Sequence, residues 1–125
     1  MTTVTEITYH SKSRNLEIGF ASGQSFTLSA EYLRVYSPSA EVQGHSPDQA
    51  VLQHGKQHVS IRQIEPQGNY AIKLTFSDGH DSGIYSWDYL FALGDEYEQR
   101  WSAYLADLEQ AGKTRDPGYI ALSSD

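Results

Sequence analysis

Asn69–Leu90, NYAIKLTFSDGHDSGIYSWDYL, decides how the rest of the chain is read. Tyr70, Ile72, Leu74 and Phe76 alternate with Ala71, Lys73 and Thr75, the two-residue period of a strand with one buried face. Ser77-Asp78-Gly79-His80 interrupts that period with turn chemistry. Glycine accepts positive φ, and Asp and Ser bond their own backbone. Gly83-Ile84-Tyr85 resumes a short strand, and Ser86 can cap a helix carrying Trp87, Tyr89 and Leu90. The stretch therefore predicts strand, tight turn, strand, helix.

The same order of signals occurs earlier. Leu16–Phe20 predicts a strand, Ser22-Gly23 a turn, Ser25–Leu28 a return strand, and Ser29–Leu33 a capped helical turn. Phe20 and Gly23 match Phe76 and Gly79. After a one-residue insertion, Ser29, Tyr32 and Leu33 match Ser86, Tyr89 and Leu90. We read a degenerate duplication of a hairpin-helix unit, although two unrelated hairpins would share part of the pattern. Two copies are too few for a solenoid. The expected fold is α+β: an antiparallel β-sheet built from two hairpin-helix units, plus a C-terminal amphipathic helix.

Working outward, Thr5–Tyr9 alternates as a first strand, and His10–Asn15 is a polar turn. The first helix should end near Tyr36, because Pro38 restricts the residue before it. Ala40–Gln57 has little periodicity and reads as a long irregular connection with at most one helical turn at Asp48–Leu52; it is either a functional loop or a plain connector. His58–Ile64 alternates as a strand and Glu65–Asn69 reads as a turn. In the last helix Tyr97, Trp101, Tyr104, Leu105, Leu108 and Ala111 share one face. Asp95 with Glu98 gives a capping-box pattern, and Gly112 stands at the C-cap. Residues 1–112 read as one domain and 113–125 as a flexible tail, with Tyr119-Ile120 able to dock.

Composition narrows the function classes. Sixteen acidic residues against nine basic ones give a net charge of −7, which repels phosphate backbones, and no nucleic-acid partner is expected. Cysteine is absent, which removes disulfides, thiolate metal ligands and a cysteine nucleophile. The N-terminus lacks the basic and apolar segments of a signal peptide, and no apolar run reaches membrane-spanning length, so the expected location is cytoplasmic with no membrane partner.

No catalytic constellation is legible. No serine lies in a G-x-S-x-G elbow and no phosphate-binding glycine loop occurs. His54 and His58 have a helical ligand spacing, but Gly55 lies between them and a strand follows, so a shared metal is not expected. His45 reads as a solvated loop residue. Asp78-Gly79-His80-Asp81 is the densest polar cluster. It is either a recognition turn or a loop whose carboxylates tie down backbone amides.

Two longer stretches carry a further signal, AEYLRVYSPSAEVQGH (from Ala30) and VSIRQIEPQGNYAIKLTFSDGHDSGIYSWDYLFAL (from Val59). Together they resemble the gamma-butyrobetaine hydroxylase N-terminal-like domain family, a domain of unknown function, over about Ile7 to Leu93. The resemblance implies a small α+β domain. It occurs as a stand-alone bacterial protein, fused to 2-oxoglutarate/iron oxygenases, or fused to P-loop ATPases that carry iron–sulfur clusters. In the oxygenase relatives the resemblance implies a zinc held by three cysteines and one histidine. Here the cysteine positions fall on Ser37, Ser39 and Val42, and only His80 survives. Hydroxyls are poor zinc ligands and valine is none, so no metal and no cofactor is expected; His80 is a vestigial position.

The expectation for function is a non-enzymatic binding or accessory domain, with an unknown protein partner. Its recognition surface would comprise Ser37, Ser39, Asp78, His80, Asp81, Tyr85 and Trp87, with Tyr85 and Trp87 alternatively core residues. The resemblance offers a second reading: an adaptor in iron–sulfur or metal-cofactor handling beside an ATPase.

Overall fold

A computed structural model describes residues 2–117. It is α+β, and its two halves are built alike. The first contains β1 (Val4–His10), β2 (Asn15–Phe20), β3 (Ser25–Ser29) and α1 (Ala30–Val35). Two short turns follow, α2 (Ala40–Gln43) and a 3₁₀ turn at Pro47–Gln49. The second half contains β4 (Ile61–Gln67), β5 (Ala71–Phe76), β6 (Ile84–Ser86) and α3 (Trp87–Asp95), and α4 (Tyr97–Ala111) is the last element among the described residues.

The strands form two antiparallel three-stranded sheets, β1-β2-β3 and β4-β5-β6, where the sequence suggested a single one. Each unit is a complete meander, and the long segment between β3 and β4 leaves the two without a shared ladder. The likeness extends beyond the residues that revealed it. The first strand of each sheet carries an irregularity at the same place, between Val4 and Glu6 in β1 and between Ile61 and Gln63 in β4. Phe20 N–H donates to Gln24 O and Phe76 N–H to His80 O, while Gly23 and Gly79 take φ of 95° and 92°. Ser29 Oγ accepts from Tyr32 N–H at 3.0 Å, and Ser86 Oγ from Tyr89 N–H at 3.1 Å, so both helices are capped in the same way.

The halves meet through reciprocal contacts. Tyr32 OH donates to Leu93 O, and Tyr89 OH to Tyr36 O, each at 2.6 Å. Counted from the two capping serines, Tyr32 corresponds to Tyr89 and Tyr36 to Leu93, so each half makes the same bond to the other. That exchange is the mark of an isologous interface, here within one chain. α1 has six residues, too few to be helical alone, and all six are buried. Packing against Leu90, Leu93 and the sheet faces holds it, with Leu16, Ile18, Leu33, Ile72, Leu74 and Phe76 in the same cluster.

Several expectations are corrected. β4 begins at Ile61 rather than His58 and runs through Glu65-Pro66-Gln67, expected as a turn. β4 is an outer strand, where a proline costs no ladder bond on its free side. Tyr70 is 65% exposed rather than in the core, because the turn extends to it and β5 starts at Ala71. Asp95 is the last residue of α3 and not a cap. Glu96 stands at the α4 N-terminus without a side-chain cap bond and instead pairs with Arg100. On α4 only Tyr104 and Leu108 are buried, joining Val35 in a second small cluster. Leu105, 40% exposed, lies too far round the helix. Gly112 does form the left-handed cap, with φ 69°. The tail does not fray at once: Gly55 N–H donates to Thr114 O, Gln57 N–H to Arg115 O, and Arg115 pairs bidentately with Glu31. Tyr119 and Ile120 lie outside the described residues.

Candidate functional site

The segment after α1 and the β5–β6 loop converge on His80. Pro38 and the Tyr36 cap turn the chain out of α1, delivering Ser37 and Ser39 inward, 0% and 6% exposed. The other loop, residues 77–83, is three residues longer than its counterpart, residues 21–24, which leaves room for His80 to fold back. His80 Nε2 lies 2.8 Å from Ser37 Oγ and 3.4 Å from Ser39 Oγ. Its Nδ1 faces Glu41 Oε1 at 3.3 Å, and Ser82 Oγ donates to the same carboxylate at 2.7 Å. Glu41 can only accept, so this pairing favours the tautomer with the proton on Nδ1, in which Nε2 accepts from the Ser37 hydroxyl. Ser37 Oγ in turn accepts from Ser39 N–H, and Gln43 Nε2 donates to Ser37 O.

Asp78 organises the other side. It accepts from His80 N–H, from Arg34 Nε at 2.9 Å and from Lys56 Nζ at 2.6 Å. Arg34, 7% exposed, also donates to Gln53 Oε1. Burial alone would raise the Asp78 pKa, but the Lys56 hydrogen bond, the His80 amide and the two cations outweigh it and hold it at about 2. Burial, followed by the Arg34 charge, lowers the His80 pKa, against the weaker pull of Glu41 and Asp78, so the imidazole is neutral at pH 7. Burial raises the Tyr85 pKa strongly, and its hydroxyl donates to Leu33 O.

Of the candidate residues, Ser37, Ser39, Asp78 and His80 belong to one network. Asp81, in the same loop, is exposed. Tyr85 is fully buried and is a core residue, because β6 turns it inward against Leu33; it cannot be part of a recognition surface. Ser37 and Ser39 are likewise hidden behind the loop they hold. Trp87 is half-buried at the far end of β5, its Nε1 donating to Asn69 O beside exposed Tyr70. His45 is exposed; Val42 is 5% exposed. Arg34, Glu41, Gln53 and Lys56 were missed by sequence reasoning. Arg34 alone carried a signal: a charged residue inside the apolar helix of the first unit.

Ser37, His80 and Glu41 line up as nucleophile, base and orienting carboxylate do in acyl-transfer enzymes. Burial separates this case from that one. Ser37 has no exposed surface, and its oxygen already accepts from the Ser39 amide. A methyl group at Gly83 would lie 2.5 Å from Ser37 Oγ, so backbone occupies the approach a substrate would need. The donor set also fails for zinc, since it offers one imidazole and two hydroxyls, and among the described residues no three His, Asp or Glu converge.

The Gamma-butyrobetaine hydroxylase-like, N-terminal family model matches residues 7–91. The chain belongs to this family. Two proteins of known solution structure are 49% and 51% identical to it, each with a TM-score of 0.81. They cover 96% and 94% of this chain and 94% and 87% of their own. The crystal structure of a protein of unknown function from Acidithiobacillus ferrooxidans ATCC 23270, of the DUF971 family, is 38% identical over 74% of this chain and 92% of that one, with a TM-score of 0.61. No curated protein matches. The family match spans the His80 loop and the Ser37–Val42 segment, and the resemblance inferred from the sequence holds.

Proposed function

We propose that this family member is a non-catalytic binding domain in which hydrogen bonds replace the metal cross-link its resemblance implies. The carrying observation is the network around His80. Its groups satisfy one another, and the charged side chains most open to solvent around it are carboxylates: Glu41, 72% exposed at its side chain, and Asp81 in the same loop. Ser37, Ser39 and His80 act as a staple, and the loop they fix presents an acidic rim. A basic segment of a protein partner suits that rim, in a chain of net charge −7. Metal analysis of the purified protein is expected to find zinc well below stoichiometric amounts.

The partner reading is tested by using wild type and Asp81→Lys side by side as bait in extract of the native cell, with quantitative mass spectrometry. Asp81 makes no network bond, so the reversal leaves the fold intact. A protein enriched by wild type and lost with the variant supports the reading. Identical recoveries contradict it. A cluster-carrying ATPase among the lost proteins would favour the adaptor alternative.

A further inference from the structure

The cavity between the β1–β2 turn, the first turn of α1, residues 57–59, α4 and the tail has a volume of about 360 Å³. Its charge is opposite to that of the molecule. Arg14, His58 and Arg115 line it, and Glu31 is the one carboxylate there. Both Glu31 oxygens are occupied by Arg115 Nε and Nη2, each at 2.8 Å. Arg115 is also stacked 5.2 Å over the Trp101 ring. Its guanidinium is therefore fixed, and among the described residues Nη1 makes no hydrogen bond.

Arg14 supplies the second, independent observation. It has φ 58° and is the one non-glycine in the left-handed region among the described residues; the others there are all glycines. A side chain strains that conformation, and glycine would adopt it freely. The main-chain role, accepting a bond from Ala30 N–H, needs no side chain. Among the described residues the Arg14 guanidinium forms no ion pair, although it lines the cavity. An unpaired arginine on strained backbone, beside a fixed second arginine, is an arrangement for an oxyanion.

We infer that this cavity binds a small molecule bearing a phosphate or carboxylate, of nucleoside-monophosphate size or below. Arg14 and Arg115 Nη1 would hold the anion, with His58 beside them. The stacked Tyr97 and Trp101 rings form the wall against which the ligand body rests. The volume lies at the small end of ligand pockets. This site is separate from the His80 loop and goes beyond the partner reading above.

The test is an NMR titration of the full chain with inorganic phosphate, adenosine monophosphate, succinate and benzoate, following the Arg14 Nε, Arg115 Nε and Trp101 Nε1 signals. Saturable shifts at all three with at least one compound are expected; which compound saturates separates phosphate from carboxylate. Arg14→Gly should weaken that binding about tenfold or more while leaving the melting temperature equal or higher, because backbone strain is relieved. Arg14→Lys should retain part of it. No saturable shift, shifts spread equally over Lys12, Arg62 and Lys73 (an adventitious ion only), or unchanged binding in Arg14→Gly would overturn the inference.

Discussion

Corresponding places in the two halves are filled by opposite chemistry. Counted from the capping serines Ser29 and Ser86, Arg34 corresponds to Phe91, Ser37 to Gly94, and Phe26 to Gly83. In one corner Phe20, Phe26 and Phe91 pack edge-to-face, with centroids 5.5 to 5.8 Å apart. In the other, Arg34, Ser37 and His80 form the polar network. The small residue also changes sides: Gly94 leaves room for the Phe26 ring, and Gly83 leaves room for Ser37 Oγ. A single framework thus closes one end by burial and the other by hydrogen bonds. The first needs only shape. The second needs every partner, because a buried polar group left unpaired costs about 1–3 kcal/mol. The polar end is therefore the specialised one, and the apolar end shows what the framework requires for stability alone.

Substitutions can break this contrast at graded cost. Phe20→Ala should lose about 3–5 kcal/mol by opening a cavity at the apolar end, read as a shift of the urea midpoint. Arg34→Ala at the polar end should lose less, about 2–3 kcal/mol, because Lys56 still pairs with Asp78. If Arg34→Ala proves the more damaging, the ranking of the two ends is wrong. Gly94→Ala should destabilise by about 1–3 kcal/mol. Its Cβ would meet the Phe26 ring at 2.2 Å, and that overlap outweighs the gain of about 1 kcal/mol from helix propensity. Tyr32→Phe and Tyr89→Phe each delete one of the reciprocal bonds and should cost about 1–2 kcal/mol. Tyr32 should cost more, since it has no exposed surface and Tyr89 is half-buried. Equal melting of Tyr32→Phe and wild type would speak against the exchange of bonds between the halves.

The smallest effect is a pH dependence confined to the polar end. The folded pKa of Asp78 is depressed to about 2 from 3.8, so its ion pairs stabilise the fold above pH 3.8 and that contribution is lost as pH falls toward 2. With about a quarter of its side chain exposed, screening reduces the contribution to about 1 kcal/mol. Asp78→Asn should flatten acid unfolding across that window. His80, also depressed, is stabilising in its neutral form, so stability should begin to fall as pH drops below 6.5. The same titration of His80→Gln should lack that early limb.

The sequence made the framework legible because its signals are local. Alternation in Leu16–Phe20 and Ala71–Phe76, turn glycines with positive φ, and serines capping helices each act within a few residues. The halves could be matched for the same reason. What was not legible depends on distance. Two meanders without a common ladder read the same as one sheet. Pro66 signalled a turn because nothing local says that β4 is an outer strand. At the site, Ser37 and His80 could be placed together only through resemblance, and their burial could not be read at all. Tyr85 looked like an anchor for a partner because an aromatic residue on a three-residue strand carries no mark of which face is covered. Lys56 and Gln53 sit in an aperiodic segment, where no pattern links them to Asp78.

The central claim is that hydrogen bonds to a neutral imidazole hold the polar end without a metal. Nitrogen NMR of the His80 ring at pH 7, recorded with and without a strong chelator, tests it most directly. The account predicts a ring protonated at Nδ1 only, with a spectrum identical in both samples. A metal-bound Nε2 signal that collapses on chelation, or a ring charged at both nitrogens, would contradict it.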